Sequence, residues 1–162
     1  MAKSALSKLS ELTAGDLCSH GLCSDVVQVR EDTSFSEIVD AIRKGPPFHS
    51  VVVLDSDRSV VGRVSDEHFY EAVIVDVLPE LALASATDLD SLMEVAVEVK
   101  HNRARDIMEA PNLAKSTESA PSVLGRIFRE RLKGLVIVDE SGSLLGYIDR
   151  MTIIAKWSEF TT

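Results

Sequence analysis

Apolar residues along the chain follow two spacings, and each spacing predicts a different element. In two segments they recur three or four positions apart, as on one face of a helix: Phe35, Ile38, Val39 and Ile42 in the first, and Val123, Leu124, Ile127 and Phe128 in the second. Elsewhere they form runs of strand length that are rich in β-branched residues: Val51–Leu54, Val60–Ser65, Leu135–Val138 and Leu144–Asp149. Because these runs are apolar on both sides, we expect helices to cover the strands.

The residues around the first helix predict where it begins and ends. Thr33 and Ser34 are both candidate N-caps, and Glu37 stands three positions after Ser34, as in a capping box. The sequence Gly45-Pro46-Pro47 cannot continue a helix and marks its end.

The second helix carries similar boundary residues. Ser119 is the predicted N-cap, and Pro121 falls in the first turn, where a missing N–H is tolerated. Gly134 is the residue expected to end this helix.

The two halves of the chain repeat one another. Asp55 and Asp139 are 84 positions apart, as are Gly62 and Gly146, and each pair joins an apolar run, an acidic turn and a second apolar run. A further helix is predicted after each hairpin, over Asp66–Val77 before Pro79 and over Arg150–Trp157. The repeating unit is therefore strand, helix, strand, strand, helix, which predicts an α+β fold built from two copies.

This repeat divides the chain into four parts. We expect an N-terminal helix within residues 1–11, a first copy over residues 12–78, an inserted segment over residues 79–98 and a second copy over residues 99–162. The insertion has two interpretations: a short helix capped by Thr87, or a strand suggested by the alternation of Val95, Val97 and Val99.

Charge and composition exclude several classes of function. The net charge of −9, with no basic cluster, argues against nucleic acid and anionic membranes as partners. No apolar run approaches the ~20 residues of a membrane helix, and Met1–Glu11 lacks the pattern of a secretory signal. The sequence also has no nucleophile elbow, P-loop or metalloprotease motif. We therefore expect a cytoplasmic protein without enzymatic activity.

The motifs, in this order and twice over, resemble a tandem pair of CBS domains, named after cystathionine beta-synthase. The resemblance covers Leu12–Leu78 and Val99–Trp157. It rests on four segments in the first copy, Leu12–Leu17, Asp32–Ser34, Val51–Asp55 and Val60–Ser65, and on three in the second, Ala104–Met108, Leu135–Gly142 and Leu145–Ile148. It implies two β-α-β-β-α units packed about a pseudo-two-fold axis, a homodimer, and a regulatory role toward a partner protein. It also implies an adenosyl ligand between the copies, such as AMP, ADP, ATP or S-adenosylmethionine, with magnesium as a possible companion.

The ligand signature of that family is a glycine, two apolar residues, Ser or Thr, two more residues and an aspartate. Its hydroxyl meets phosphate and its aspartate chelates the ribose hydroxyls. Both copies here depart from it: the first has Gly62, Ser65 and His68, and the second has Gly146, Asp149 and Thr152. Asp149 would repel phosphate unless a cation intervened, whereas His68 could donate to phosphate.

Each candidate site residue also has a plain structural interpretation. The candidates for ligand contact are Ser65, His68, Asp149, Thr152, Arg63 and Val136, with Arg103 and Arg150 as further cations. Ser65 and Asp149 are equally suitable as helix N-caps, and the arginines as partners of surface carboxylates. If the structural interpretations hold, the module is a ligand-free dimerisation or interaction scaffold.

Cys18 and Cys23 flank His20 in a short segment that invites a metal interpretation. Zinc requires four ligands, and this segment supplies three without a partner cluster elsewhere. We therefore expect no metal site, and two incidental thiols in a loop of a protein kept in a reducing compartment.

Overall fold

The two repeats adopt the strand, helix, strand, strand, helix order that the sequence predicts. A computed structural model describes residues 7–46, 50–72 and 103–161. The helices in these ranges are α1 (7–10), α2 (Ala14–Ser19), α3 (Phe35–Lys44), α4 (66–72), α5 (Ala104–Ile107), α6 (Ala120–Arg129) and α7 (Arg150–Thr161). The strands are β1 (Cys23–Ser24), β2 (Val27–Arg30), β3 (Ser50–Leu54), β4 (Val60–Ser65), β5 (Leu113–Lys115), β6 (Gly134–Val138) and β7 (Leu144–Asp149). The fold class is α+β, as predicted.

The strands form two sheets, each built mainly from one repeat, and β1 of the first copy joins the sheet of the second repeat. One sheet has the order β2-β3-β4, and the other has the order β1-β7-β6-β5. In both sheets the first strand of the repeat pairs in parallel with the strand that follows its helix: β2 with β3 and β5 with β6. The hairpin β6–β7 is antiparallel, with a register irregularity between Ile137 and Val138.

The predicted N-caps account for where α3 and α6 begin. Ser34 Oγ accepts a hydrogen bond from the Glu37 backbone N–H, and the Glu37 carboxylate accepts one from the Ser34 backbone N–H at 2.9 Å, which completes a capping box. Ser34 rather than Thr33 is thus the cap. Ser119 caps α6 by accepting a hydrogen bond from the Ser122 N–H at 3.4 Å.

Three predictions about helices were wrong in detail. Gly134 does not end α6: the helix ends at Arg129, Arg131 takes the left-handed conformation with φ of 54°, and Gly134 is the first residue of β6. Phe128, expected to face the core, is 49% exposed. The last helix extends to Thr161, four residues beyond the predicted Trp157. The insertion, and most of the N-terminal helix, lie outside the described residues.

The chain forms two compact units that are not contiguous in sequence. The first unit contains residues 26–57 and 61–110, and the second contains residues 1–25, 58–60 and 111–162. Each unit has its own core. In the first unit Phe35 and Phe69 stack with ring centroids 4.8 Å apart among buried valines of β2, β3 and β4. In the second, Leu17 and Leu22 of the N-terminal segment pack with Ile127, Leu135 and Ile148.

Candidate functional site

Ser65 ends β4 and begins the helix that follows it. Its Oγ accepts a hydrogen bond from the His68 backbone N–H at 3.1 Å, so the predicted capping role is confirmed. Because the cap is a hydroxyl, it satisfies the helix terminus without adding negative charge. We call Gly62, Arg63, Ser65, His68 and the residues that contact them the Ser65 site.

A glutamate from a distant segment joins Arg63 and His68 at this site. Arg63 Nη2 lies 3.0 Å from Glu109 Oε1, and His68 Nδ1 lies 3.2 Å from Glu109 Oε2. The backbones of Arg63 and Glu109 also exchange two hydrogen bonds of 3.0 and 2.9 Å, which fix the segment beside β4. The three side chains are between 23 and 42% exposed, so solvent reaches them all. The site therefore combines one carboxylate with a cation and a titratable imidazole.

The interior side of the Ser65 site is closely packed. A Cβ atom on Gly62 would lie within 3 Å of Met108 Cγ and closer still to its Sδ, so the glycine makes room for the thioether. Arg63 Nε is buried and, among the described residues, has no hydrogen-bond partner. A buried N–H donor without a partner is costly, and this one lies two residues from the Ser65 hydroxyl.

The equivalent position in the second repeat carries a charge instead of a hydroxyl. Asp149 ends β7, is 5% exposed and accepts hydrogen bonds through Oδ1 from the backbone N–H groups of Met151 and Thr152, the latter at 3.1 Å. Its predicted role as the N-cap of α7 is confirmed. A carboxylate here already supplies the negative charge that a phosphate would bring, and at short range it repels a second anion. We call Gly146, Tyr147, Asp149, Thr152 and their contacts the Asp149 site.

Tyr147 and Cys23 fill the space around the Asp149 site. The Tyr147 side chain is 4% exposed and lies over Gly134, where a Cβ would be 2.5 Å from the ring Cζ. A Cβ on Gly146 would lie 2.7 Å from Cys23 Cβ. Cys23 is joined to Cys18 by a disulfide, so the expectation of two free thiols was wrong. Instead of the expected loop, the segment from Cys18 to Ser24 forms the end of α2, a turn and the short strand β1.

The other predicted contacts lie elsewhere. Arg103 donates a hydrogen bond through Nη1 to the Asp32 carbonyl at 2.7 Å, away from the Ser65 site. Val136 is buried in β6, and Val136, Thr152 and Arg150 all belong to the second unit. The structure thus brings together Arg63, Ser65 and His68, and groups Asp149 with Thr152.

The second unit also has an apolar groove on its surface. Its volume is about 530 Å³, and its lining residues are Leu9, Pro121, Leu124, Gly125, Phe128, Ile153 and Ile154. Phe128 and Ile154 are 49% and 55% exposed. Among the described residues, no helix is long and apolar enough to cross a lipid bilayer, and no group of three or more His, Cys, Asp or Glu could hold a metal ion.

Sequence reasoning missed Glu109 and Met108. They lie more than 40 positions after Gly62 in the chain, and no periodicity or motif links the two segments. The one available signal is the repeat itself: Glu109 pairs with Arg63 as Ser24 pairs with Tyr147, so the segment before each repeat contacts the last strand of the other.

Comparisons with known proteins agree with the resemblance seen in the sequence. A family model for the CBS domain matches residues 14–75. An uncharacterized protein of Methanocaldococcus jannaschii is 23% identical over 141 residues, which cover 79% of this chain and 83% of that protein. Among solved structures, the CBS domain of a CBS domain containing membrane protein from Sphaerobacter thermophilus superposes with a TM-score of 0.68 at 19% identity, covering 95% of this chain and 93% of the other. CBSX2 in complex with AMP gives 0.66 at 15% identity, covering 93% and 99%.

Proposed function

Because the chain carries a CBS domain at residues 14–75 and has the fold of a tandem CBS pair, we propose that it is a regulatory module that binds an adenosyl ligand and modulates a partner protein. The observation that carries this proposal is the Ser65 site. There a neutral hydroxyl cap, a guanidinium and an imidazole lie together, and the buried Arg63 Nε–H has no hydrogen-bond partner within the part of the chain that the structure describes. The AMP bound to CBSX2 supports an adenine nucleotide as the ligand class.

Each group at the Ser65 site suits one part of such a ligand. Arg63 and the Ser65 hydroxyl donate to phosphate oxygens, and protonated His68 adds a second charge-assisted donor. The carboxylate that the signature places at residue 68 is absent, and Glu109 supplies one within 3.2 Å of that residue's imidazole. Its two oxygens accept hydrogen bonds from the ribose hydroxyls. Ligand binding therefore exchanges the Arg63–Glu109–His68 contacts for contacts with phosphate and ribose.

The Asp149 site, in this proposal, takes no nucleotide phosphate. Its carboxylate is already committed to capping α7, and Tyr147 occupies the space over Gly134. The module would then hold one nucleotide per chain, through the first repeat.

Thermal unfolding with AMP, ADP, ATP and S-adenosylmethionine, each with and without magnesium, tests the proposal. A ligand at 100 times its Kd stabilises the folded state by about 2.7 kcal/mol, which raises the Tm of a chain of this size by about 5–10 °C. Ser65→Ala should abolish most of that shift. Ser119→Ala is the matched control, because it removes a serine N-cap of the same kind from the other unit and should keep the shift.

Glu109→Gln separates ribose recognition from phosphate recognition. Measured by calorimetry, the variant should bind AMP more weakly than the wild type by about 1–2 kcal/mol. The variant and the wild type should bind 2′,3′-dideoxyadenosine monophosphate, which has no ribose hydroxyls at these positions, with equal affinity. No shift of Tm with any ligand of the panel would overturn the proposed function. If both Ser65→Ala and Glu109→Gln bind the ligand as the wild type does, the ligand binds at a surface other than the Ser65 site.

The second candidate function is a ligand-free homodimerisation scaffold. The exposed apolar groove of the second unit favours it, since large apolar side chains on a surface mark protein interfaces. The two functions are compatible, and we propose a homodimer in either case. We also propose a cytoplasmic location without catalytic activity.

A further inference from the structure

The Cys18–Cys23 disulfide connects the end of one helix to the shortest strand of the second unit. Cys18 lies in the last turn of α2, and Cys23 is the first residue of β1, which has only two residues. Both cysteines are half-buried, and the turn between them, residues 19–21, is exposed. The bond is therefore open to a reductant from the side of this turn.

The strand tethered by the disulfide is held by few other contacts. In β1, Cys23 pairs with Ile148 and Ser24 pairs with Tyr147, and Ser24 Oγ donates a hydrogen bond to the Tyr147 carbonyl at 3.2 Å. A two-residue strand at a sheet edge has little stability of its own. The covalent tether joins β1 to the last turn of α2, and both cysteines pack against the core that contains Ile148 of β7. It therefore holds β1 in place beside β7 through α2 and not by a direct link.

The disulfide also lies directly on β7. A Cβ on Gly146 would be 3.3 Å from Cys23 Sγ and 3.6 Å from Cys18 Sγ, so the strand has no space for an additional group at this position. Reduction replaces a bonded sulfur pair by two thiols at van der Waals separation. The two sulfurs must then move apart, and the close packing of Cys23 on Gly146 limits how far Cys23 can adjust while β1 stays paired with β7.

The first unit provides a natural comparison. There Met108 packs on Gly62 as Cys23 packs on Gly146, and Glu109 pairs with Arg63 as Ser24 pairs with Tyr147. Met108 is a thioether and forms no cross-link. A dithiol reductant can therefore act beside Gly146, where the disulfide lies, and has no bond to reduce beside Gly62, where Met108 lies.

We propose that Cys18–Cys23 is a reversible redox site, the substrate of a dithiol reductant, and that its reduction releases β1 from β7 beside the Asp149 site. A thiolate of the reductant attacks one cysteine sulfur and forms a mixed disulfide, with the other cysteine as leaving group. The second thiol of the reductant then displaces the bound cysteine. Two electrons and two protons pass to Cys18 and Cys23, and the reductant leaves as its own disulfide. Disulfides that occur in reducing compartments are usually of this transient kind.

Hydrogen exchange measured by mass spectrometry tests the proposal on the whole chain, compared as purified and after treatment with dithiothreitol. Alkylation of the treated, still folded protein should label two thiols. Exchange in residues 22–25 should then accelerate at least about tenfold, as expected when a local opening loses its tether. Residues 61–65 of the first unit are the internal control and should exchange at an unchanged rate.

The double variant Cys18→Ser/Cys23→Ser should exchange like the reduced wild type, whether or not dithiothreitol is present. If that variant does not fold, the comparison of oxidised with reduced wild-type protein still tests the proposal, because it requires no substitution. A disulfide that resists dithiothreitol until the whole chain unfolds would overturn the proposal. So would equal exchange of residues 22–25 in the oxidised and reduced forms.

Discussion

At the scale of single residues, two glycines of the second unit show opposite uses of a missing side chain. A Cβ on Gly134 would lie 2.5 Å from Tyr147 Cζ and closer to the backbone carbonyl of Ile148, neither of which can yield easily. A Cβ on Gly125, in the middle of α6, would meet only the end of the flexible Arg129 side chain, at 3.2 Å. Gly134 is therefore required by packing, whereas Gly125 weakens its helix.

Alanine at these two positions should change stability in opposite directions. Gly134→Ala forces Tyr147 from its place and should lower the free energy of unfolding by about 1–3 kcal/mol. Gly125→Ala removes backbone freedom from the unfolded chain and should raise it by about 0.5–1 kcal/mol. Chemical denaturation of both variants beside the wild type measures the two changes. A loss of stability in Gly125→Ala would mean that the apolar groove has no room for a methyl group.

The same scale shows how much of the candidate site the sequence could predict. Ser65 and Asp149 were identifiable as N-caps because a cap acts on residues two or three positions away, within the reach of a local pattern. Glu109 was not identifiable, since its contacts with Arg63 and His68 depend on a chain path that no local rule specifies. Gly134 was misinterpreted because glycine has two uses, ending helices and admitting close neighbours, and the sequence does not distinguish them.

At the scale of elements, the helices α3 and α6 begin with serine caps that differ in charge. Glu37 completes the cap of α3, and its hydrogen bonds with Ser34 hold the pKa of its carboxyl below the usual 4.5. The third residue of α6 is Ser122, so that cap carries no titratable group. A depressed pKa means that ionised Glu37 stabilises the folded state at neutral pH.

Acid should remove the contribution of Glu37. Its stabilising effect is fully present above the pKa of the unfolded chain, near 4.5, and is lost as the pH falls through the lower pKa of the folded state. Glu37→Gln should therefore be less stable than the wild type at pH 7, and the difference in Tm should shrink progressively below pH 4.5. Calorimetric scans of both proteins between pH 7 and pH 3 measure this. A difference that stays constant down to pH 3 would show that the effect of the substitution does not depend on ionisation of the Glu37 carboxyl.

Elements were predictable from the sequence where their stability is local. The hairpin strands and α3 follow from apolar spacing and caps, and their bounds agree with the prediction to within one or two residues. The strand β1 was not predictable, because its two residues carry no periodicity and its partner β7 lies more than 120 positions away. Phe128 has the spacing of the apolar face of α6, and yet it lines the surface groove. The spacing of apolar residues predicts which of them share a helix face, but it does not predict whether another part of the protein covers that face.

At the scale of the whole molecule, the groove of the second unit is a surface, among the described residues, where several apolar side chains lie together uncovered. Phe128 and Leu145 are both 49% exposed, but only Phe128 lines the groove. The two residues therefore separate the effect of the groove from that of surface hydrophobicity in general.

If a second copy of the chain covers the groove, Phe128→Ser should weaken the dimer by about 1–2 kcal/mol, because central aromatic residues contribute most of the binding energy of an interface. Leu145→Ser should leave the dimer unchanged. Sedimentation velocity over a range of concentrations measures both dissociation constants. A wild-type chain that stays monomeric, or two variants that behave alike, would contradict dimerisation through this face.

The division of the chain between its two units has a consequence for synthesis on the ribosome. Residues 1–25 are translated well before their core partners Leu135 and Ile148, which belong to the second repeat and follow more than 100 positions later. At about 5–20 residues per second, Leu17 and Leu22 remain without these partners for roughly 6–26 seconds until Ile148 is made. All parts of the first unit, by contrast, have been translated once residue 110 is made. The nascent chain thus completes the unit with the Ser65 site first, and residues 1–25 reach their final packing only after the second repeat has been made.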